Sequence, residues 1–154
     1  MDKFLDYMKD YLKTELKKDG ILPSTFDLGV YDAYTAGHTP NKTELLIQIM
    51  DNSEVADYST LEGEKVSSIP LQITVFAFQT KLNGVMTSAR EVSIKLGAKV
   101  KEILNRLRET VINPNILRTR IMGASPALPI QGGEKSYTTA IRCEFWVANP
   151  YREI

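Results

Sequence analysis

Cysteine, histidine and tryptophan each occur once in the 154 residues, as Cys143, His38 and Trp146. A lone cysteine excludes an internal disulfide, so any bridge must join two copies, and folding in a reducing, intracellular compartment is expected. One histidine and one cysteine, far apart in the chain, leave little for nucleophile-and-base chemistry. His38 sits in a Gly-His-Thr-Pro stretch, and Cys143 reads as an inward-facing strand residue that packs rather than reacts. Zinc takes three or four His, Cys or carboxylate ligands, and that spacing is missing. No P-loop is present, and Gly132-Gly133 lacks the strand-to-helix setting of a dinucleotide site, so it reads as a turn. No enzyme, cofactor, metal or small-molecule substrate is expected.

Excess charge is lacking as well: 19 basic residues stand against 19 acidic ones. Such a balance argues against a general nucleic-acid coat or a membrane-surface binder, both of which draw on a basic excess. No run approaches the ~18 apolar residues of a spanning helix. The opening MDKFLDYMKD is too charged for a signal peptide. A chain of this length forms one domain, expected over 1–154, and buries a core without staples.

What is present is amphipathic pattern. Phe4, Leu5, Met8, Leu12 and Leu16 recur at helical steps over residues 2 to 18, with Asp2 placed to cap the start and Gly20 to end the helix. Residues 21 to 42 follow as a long Gly, Pro and Thr-rich segment of the kind that is functional or hides a short strand. TELLIQIM then reads as a strand with Leu45, Ile47 and Ile49 on one face, and DNSEVADYSTLEGEKVSS as a polar connection whose Asp51 and Glu54 are solvated. IPLQITVFAFQTK alternates Leu71, Ile73, Val75 and Ala77 against Gln72, Thr74, Phe76 and Phe78. Its Pro70 lacks an N–H and so belongs at the strand's start or at an edge. Asn83-Gly84 closes this strand with a turn.

Ser88 and Glu91 form a capping box ahead of the clearest helix, to about Thr110, whose stripe is Val92, Leu96, Val100, Ile103, Leu107 and Val111. Lys95, Lys99, Glu102, Arg106 and Arg108 fall on its solvent side, and Asn113-Pro114 ends it. ILRTRIMG alternates Leu117, Thr119 and Ile121 against Arg118, Arg120 and Met122. ASPALPIQGGEKS then connects to SYTTAIRCEFWVANPY, where Tyr137, Thr139, Ile141, Cys143, Phe145 and Val147 share one face. The order helix, strand, strand, helix, strand, strand predicts an α+β fold: a mainly antiparallel sheet of about four or more strands, with two helices packed on one face. The strong last strand is expected inside that sheet, paired on both edges.

If helices cover only one face, Phe76, Phe78 and Trp146 are left on the other. Two readings stand open: an apolar contact surface for another chain, or a face covered by residues 21 to 42. Arg118 and Arg120, with Arg142 on the partner strand, either grip phosphates or pair across strands with Glu144.

The N-terminal amphipathic helix, IPLQITVFAFQTK, the helix REVSIKLGAKVKEILNRL, the Gly/Pro-rich hairpin and the closing YTTAIRCEFWV together resemble the tail terminator, or tail completion, proteins of long-tailed bacteriophages, often labelled minor capsid proteins. The likeness spans roughly residues 1 to 20 and 43 to 151, whereas FDLGVYDAYTAGHTPNK departs from the family's compact proline-rich lead-in. The resemblance implies a structural virion protein assembled in the host cytoplasm. It would form a ring with itself, expected to be a hexamer, on the head-proximal end of the tail tube. Its partners would be the major tail tube protein and the head-neck connector proteins, with no membrane. Alternatives are a head-closure or neck adaptor and a small nucleic-acid-binding domain. Phe76, Phe78, Trp146, Arg118 and Arg120 are the expected partner-interface residues.

Overall fold

A computed structural model describes residues 3–32, 40–50, 56–59, 65–110, 112–130 and 133–148. Asp2, His38, Asp51, Glu54, Val111, Gly132 and Tyr151 lie outside the described residues. The elements run α1 (Lys3–Lys18), β1 (Gly29–Asp32), β2 (Glu44–Ile49), β3 (Ala56–Ser59), β4 (Lys65–Phe78), β5 (Thr80–Leu82), β6 (Val85–Thr87), α2 (Ala89–Glu109), β7 (Ile116–Ala124), β8 (Leu128–Ile130) and β9 (Gly133–Ala148).

Seven strands form one sheet in the order β1-β2-β4-β9-β7, with β3 continuing the lane of β2 along β4 and β8 continuing the lane of β7 along β9. Every pairing is antiparallel except β1 with β2. The expected α+β architecture is therefore the observed one. The last strand is indeed internal: β9 pairs with β4 from Val66↔Ala148 to Phe78↔Ser136, and with β7 and β8 on its other side.

Register explains the core. Ile69, Leu71, Ile73, Val75 and Ala77 of β4 stand opposite Phe145, Cys143, Ile141, Thr139 and Tyr137 of β9, so two alternating strands present one apolar face. Phe4, Leu5, Met8, Leu12 and Leu16 of α1 are buried against it, as are Val92, Leu96, Val100, Ile103, Leu104 and Leu107 of α2. Phe4 meets Phe145 with ring centroids 5.2 Å apart. Gly97 sets how closely α2 approaches, because a Cβ there would stand 3.1 Å from the Thr139 methyl. The Ser93 hydroxyl is hydrogen-bonded to that of Thr139 at the same contact.

Local chemistry fixes the ends. The Ser88 hydroxyl accepts from the Glu91 N–H at the start of α2. Asn83 and Gly84 both adopt positive φ, 51° and 81°, which a two-residue hairpin between β5 and β6 requires. The Asn113 side chain accepts from the Asn115 N–H and turns the chain into β7. Arg106 is not merely solvated: its guanidinium reaches Glu15 at 3.3 Å and Asp19 at 3.4 Å and so ties α2 to α1.

Residues 21 to 42 do hold a short strand, β1, as their sequence allowed, while Ile21, Leu22 and Leu28 join the core. Four expectations need correction. The polar connection after β2 contains β3, and β4 begins at Lys65. The connection after β7 contains β8, and β9 begins at Gly133. Pro70 is neither at the start of β4 nor on an edge strand. It sits where β2 has ended and β3 lies farther along: the Met50 N–H donates to the Pro70 carbonyl at 3.1 Å, and the reciprocal N–H is the one that proline lacks. Finally, β7 does not alternate as its sequence suggests. Register shifts occur between Ile116 and Arg118 and between Ile121 and Gly123. Thr119 stays buried, but Leu117 faces solvent rather than the core.

Candidate interaction surface

With both helices on one face, the other face of the sheet is a grid of side chains that register orders into rows. One row runs Ser68, Trp146, Arg118; the next inward pairs Pro70 with Glu144 and Arg120, and the next Gln48, Gln72 and Arg142. Farther along come Leu46, Thr74 and Ala140, then Glu44, Phe76 and Thr138, and last Phe78 with Ser136. One end of this face is basic and polar; the other carries the phenylalanines.

The five expected interface residues therefore split into two groups. Arg118 and Arg120 stand beside Trp146 and Glu144. Phe76 lies eight residues along β4 from Ser68, the partner of Trp146, or about 27 Å at ~3.4 Å per residue. Phe76, Phe78 and Trp146 are each half-buried, and they do not form one patch. The described part of residues 21 to 42 extends the sheet at its β1 edge and packs with the helices.

At the basic end the side chains interlock. The Arg118 guanidinium lies 5.6 Å from the Trp146 ring centroid, a cation–π distance. The Trp146 Nε1–H donates to Glu144 Oε1 at 3.0 Å. The expected cross-strand pairing of Arg120 or Arg142 with Glu144 is not what holds this cluster: among the described residues no ion pair joins Arg118, Arg120 or Arg142 to an acid. Three exposed guanidinium groups are thus presented on one end of the sheet.

Two further surfaces escaped the sequence reading. The first is the outer edge of β7, which among the described residues pairs only with β9. Its two bulges leave Leu117 and Met122 without cross-strand partners and expose them by 49% and 54%. A groove of about 430 Å³ separates this edge from the end of α2, lined by Leu107, Arg108, Ile116, Leu117 and Arg118 among others. The second is the β5-β6 hairpin, where Val85 and Met86 are exposed by 66% and 56%. β5 follows directly on Phe78, and the Asn83 N–H bonds to the Ile21 carbonyl, so the hairpin belongs to the α1 side, away from β7. Alternation in ILRTRIMG concealed the first surface, because only a structure reveals which residues a bulge leaves unpaired.

Cys143 is buried, its thiol 3.6 Å from the Leu71 carbonyl and pushed by burial to a pKa of about 12. At that value the thiolate is negligible at neutral pH, and the group packs rather than reacts. No helix among the described residues is long and apolar enough to cross a membrane. No protein-family model matches this chain, and none of the curated proteins compared with it does so.

Proposed function

We propose that this chain is a structural assembly protein that forms a ring on the head-proximal end of a long-tailed phage's tail tube, ends tube growth there, and offers a docking surface to the neck of the filled head. The observation that carries this reading is a sheet that both helices cover on the same face, with two unlike exposed surfaces on different sides: the basic, bulged β7 edge and the β5-β6 hairpin with its exposed Val85 and Met86. A head-to-tail ring needs two different patches on each subunit, and closes when its rotation divides a full turn. The sequence likeness to tail terminators supplies the partners: sibling copies, the major tail tube protein and head-neck connectors. Its site would be the virion tail at the neck.

The test is tube growth. Added to polymerising tail tube protein, the purified chain should stop elongation at one end and appear there as a ring in electron micrographs. Tubes that lengthen unchanged, or that bind the chain along their sides, contradict the proposal. Capture by portal-bearing heads without tubes would point to a head-closure or neck adaptor.

The three exposed arginines, none with an ion pair among the described residues, favour one second reading: a surface that holds nucleic acid. It requires DNA binding whose affinity falls with salt at a slope set by the number of phosphate contacts. Absence of binding at low salt removes it.

A further inference from the structure

Main-chain parity along β9 fixes what the outer edge of β7 offers. The Ala148 N–H donates to the Asn115 carbonyl, and the Ala140 carbonyl accepts from the Ser125 N–H, so the even-numbered residues of β9 turn their N–H and C=O groups toward β7. Arg118↔Trp146 and Arg120↔Glu144 are therefore bonded pairs, and the alternate residues Thr119 and Ile121 turn their main-chain groups outward. Both line the groove beside the end of α2, and among the described residues no strand meets them there. Thr119 is buried, and its Oγ1 has no hydrogen-bond partner among the described residues. The edge thus holds an unmet polar group as well as an unmet ladder.

The β5-β6 hairpin has a matching edge. Asn83 and Gly84 form a two-residue turn, so Leu82↔Val85 is the bonded pair that closes it and Lys81↔Met86 the unbonded pair that follows. The Met86 N–H and C=O then point out of the ribbon on its β6 side, and among the described residues β6 pairs only with β5. Two strands alone make a marginal sheet. Val85 and Met86 are also the two most exposed large apolar side chains among the described residues, and Met122 of β7 follows them. Because the hairpin belongs to the α1 side, a copy cannot seat its own hairpin in its own groove. β6 carries no charge, and the hairpin's one cation, Lys81, is on β5, so the joining edge brings no like charge to Arg118 and Arg120.

We infer that copies of this chain join head to tail by strand addition: β6 of the hairpin in one copy lies along the outer edge of β7 in the next. The Met86 main chain bonds to the outward groups at Thr119 and Ile121, and the Val85 and Met86 side chains pack with Leu117 at the groove. This rests on the ring-forming reading above and specifies its joint. Length fits as well: bulges on either side leave only Arg118 to Ile121 in regular register, a short edge that suits the three residues of β6 and discourages longer strands. Each copy has one hairpin and one groove, so the contact passes from copy to copy until the rotation closes.

Met86→Pro removes the outward N–H alone, because that group takes no bond within the hairpin, and Leu117→Lys sets a charge at the groove. Val85→Asp/Met86→Asp is a second hairpin variant whose two positions are exposed. Sedimentation velocity compares each with wild type, with circular dichroism confirming the fold. Each variant alone should associate at least about tenfold more weakly than wild type. An equimolar mixture of Met86→Pro and Leu117→Lys should form dimers and nothing larger, because the first still supplies a groove and the second a hairpin, and the pair has no further joint. Raising salt to about 1 M should leave the wild-type assembly intact, since main-chain and apolar contacts carry it. If the wild type associates and a folded variant does so equally, if the mixture stays apart or builds the full assembly, or if high salt dissolves the wild-type assembly, the joint is wrong while the ring reading stands. A wild type that remains monomeric up to about 1 mM removes both.

Discussion

The guanidinium of Arg118 lies over the ring of Trp146, 5.6 Å from its centroid, on the sheet face that the two helices leave uncovered. The ring's Nε1–H is held by Glu144, so a change at Trp146 is felt at the β7 end of the sheet, one of the two surfaces where copies are proposed to meet.

Trp146 and Phe78 should therefore give separable phenotypes. Trp146→Asp removes the ring under Arg118 and is expected to weaken self-association at least about tenfold, as loss of a central aromatic anchor does. Phe78→Asp, at the opposite end of the sheet, should leave copy-to-copy association nearly unchanged and alter binding to tubes or neck. Sedimentation velocity and tube co-pelleting distinguish the two. Equal loss of self-association in both variants would contradict the split.

Phe145 is fully buried and meets Phe4 across the helix-sheet contact. Phe145→Ala should cost about 3 to 5 kcal/mol, from lost burial plus the cavity left between α1 and β9. Urea unfolding followed by circular dichroism measures it. A cost below about 1 kcal/mol would mean that α1 does not seat on β9 as described.

Lys9 of α1 reaches Asp32 of β1 at 2.9 Å, and Asp32 is buried. Partial burial works against the ammonium, but the Asp32 and Asp6 carboxylates more than offset this and hold the Lys9 pKa above its ordinary 10.5. Folding thus favours the charged lysine. Its contribution is fully present below about pH 10.5 and is lost as pH rises through the folded-state value. Lys9→Met should destabilise by about 2 to 3 kcal/mol at neutral pH, less than for a fully buried pair because Lys9 retains some water. The gap from wild type should shrink at high pH; urea midpoints at pH 7 and above pH 11 test both statements.

Cys143, with burial raising its thiol to about 12, should not react with a thiol reagent in the native protein at neutral pH, and should react fully in denaturant. Rapid native labelling would show that the β4-β9 centre opens.

Periodicity made the helices and the central strands legible: the stripe Val92 to Leu107 and the alternation Leu71 to Ala77 are each written for one buried face. What stayed hidden was short or irregular. β1, β3 and β8 span four residues or fewer and draw their order from a longer neighbour, so little in ADYS or LPI marks a strand apart from its partner. Pro70 misled because proline's exclusion from strand interiors concerns a missing hydrogen bond, and here that bond falls where the β2 ladder stops. The site residues were named without their arrangement. Trp146 and Phe76 share a face by parity alone, and only the register of β4 against β9 shows how far apart they lie.

Hydrogen exchange at low and high protein concentration tests most directly the claim that sibling copies meet the uncovered side and edges of the sheet. On association, amides of β7 from Ile116 to Ala124 and of the β5-β6 hairpin should slow while those of α1 and α2 stay as they were. Slowing confined to the helices, or none in β7 and the hairpin as the protein associates, would contradict it.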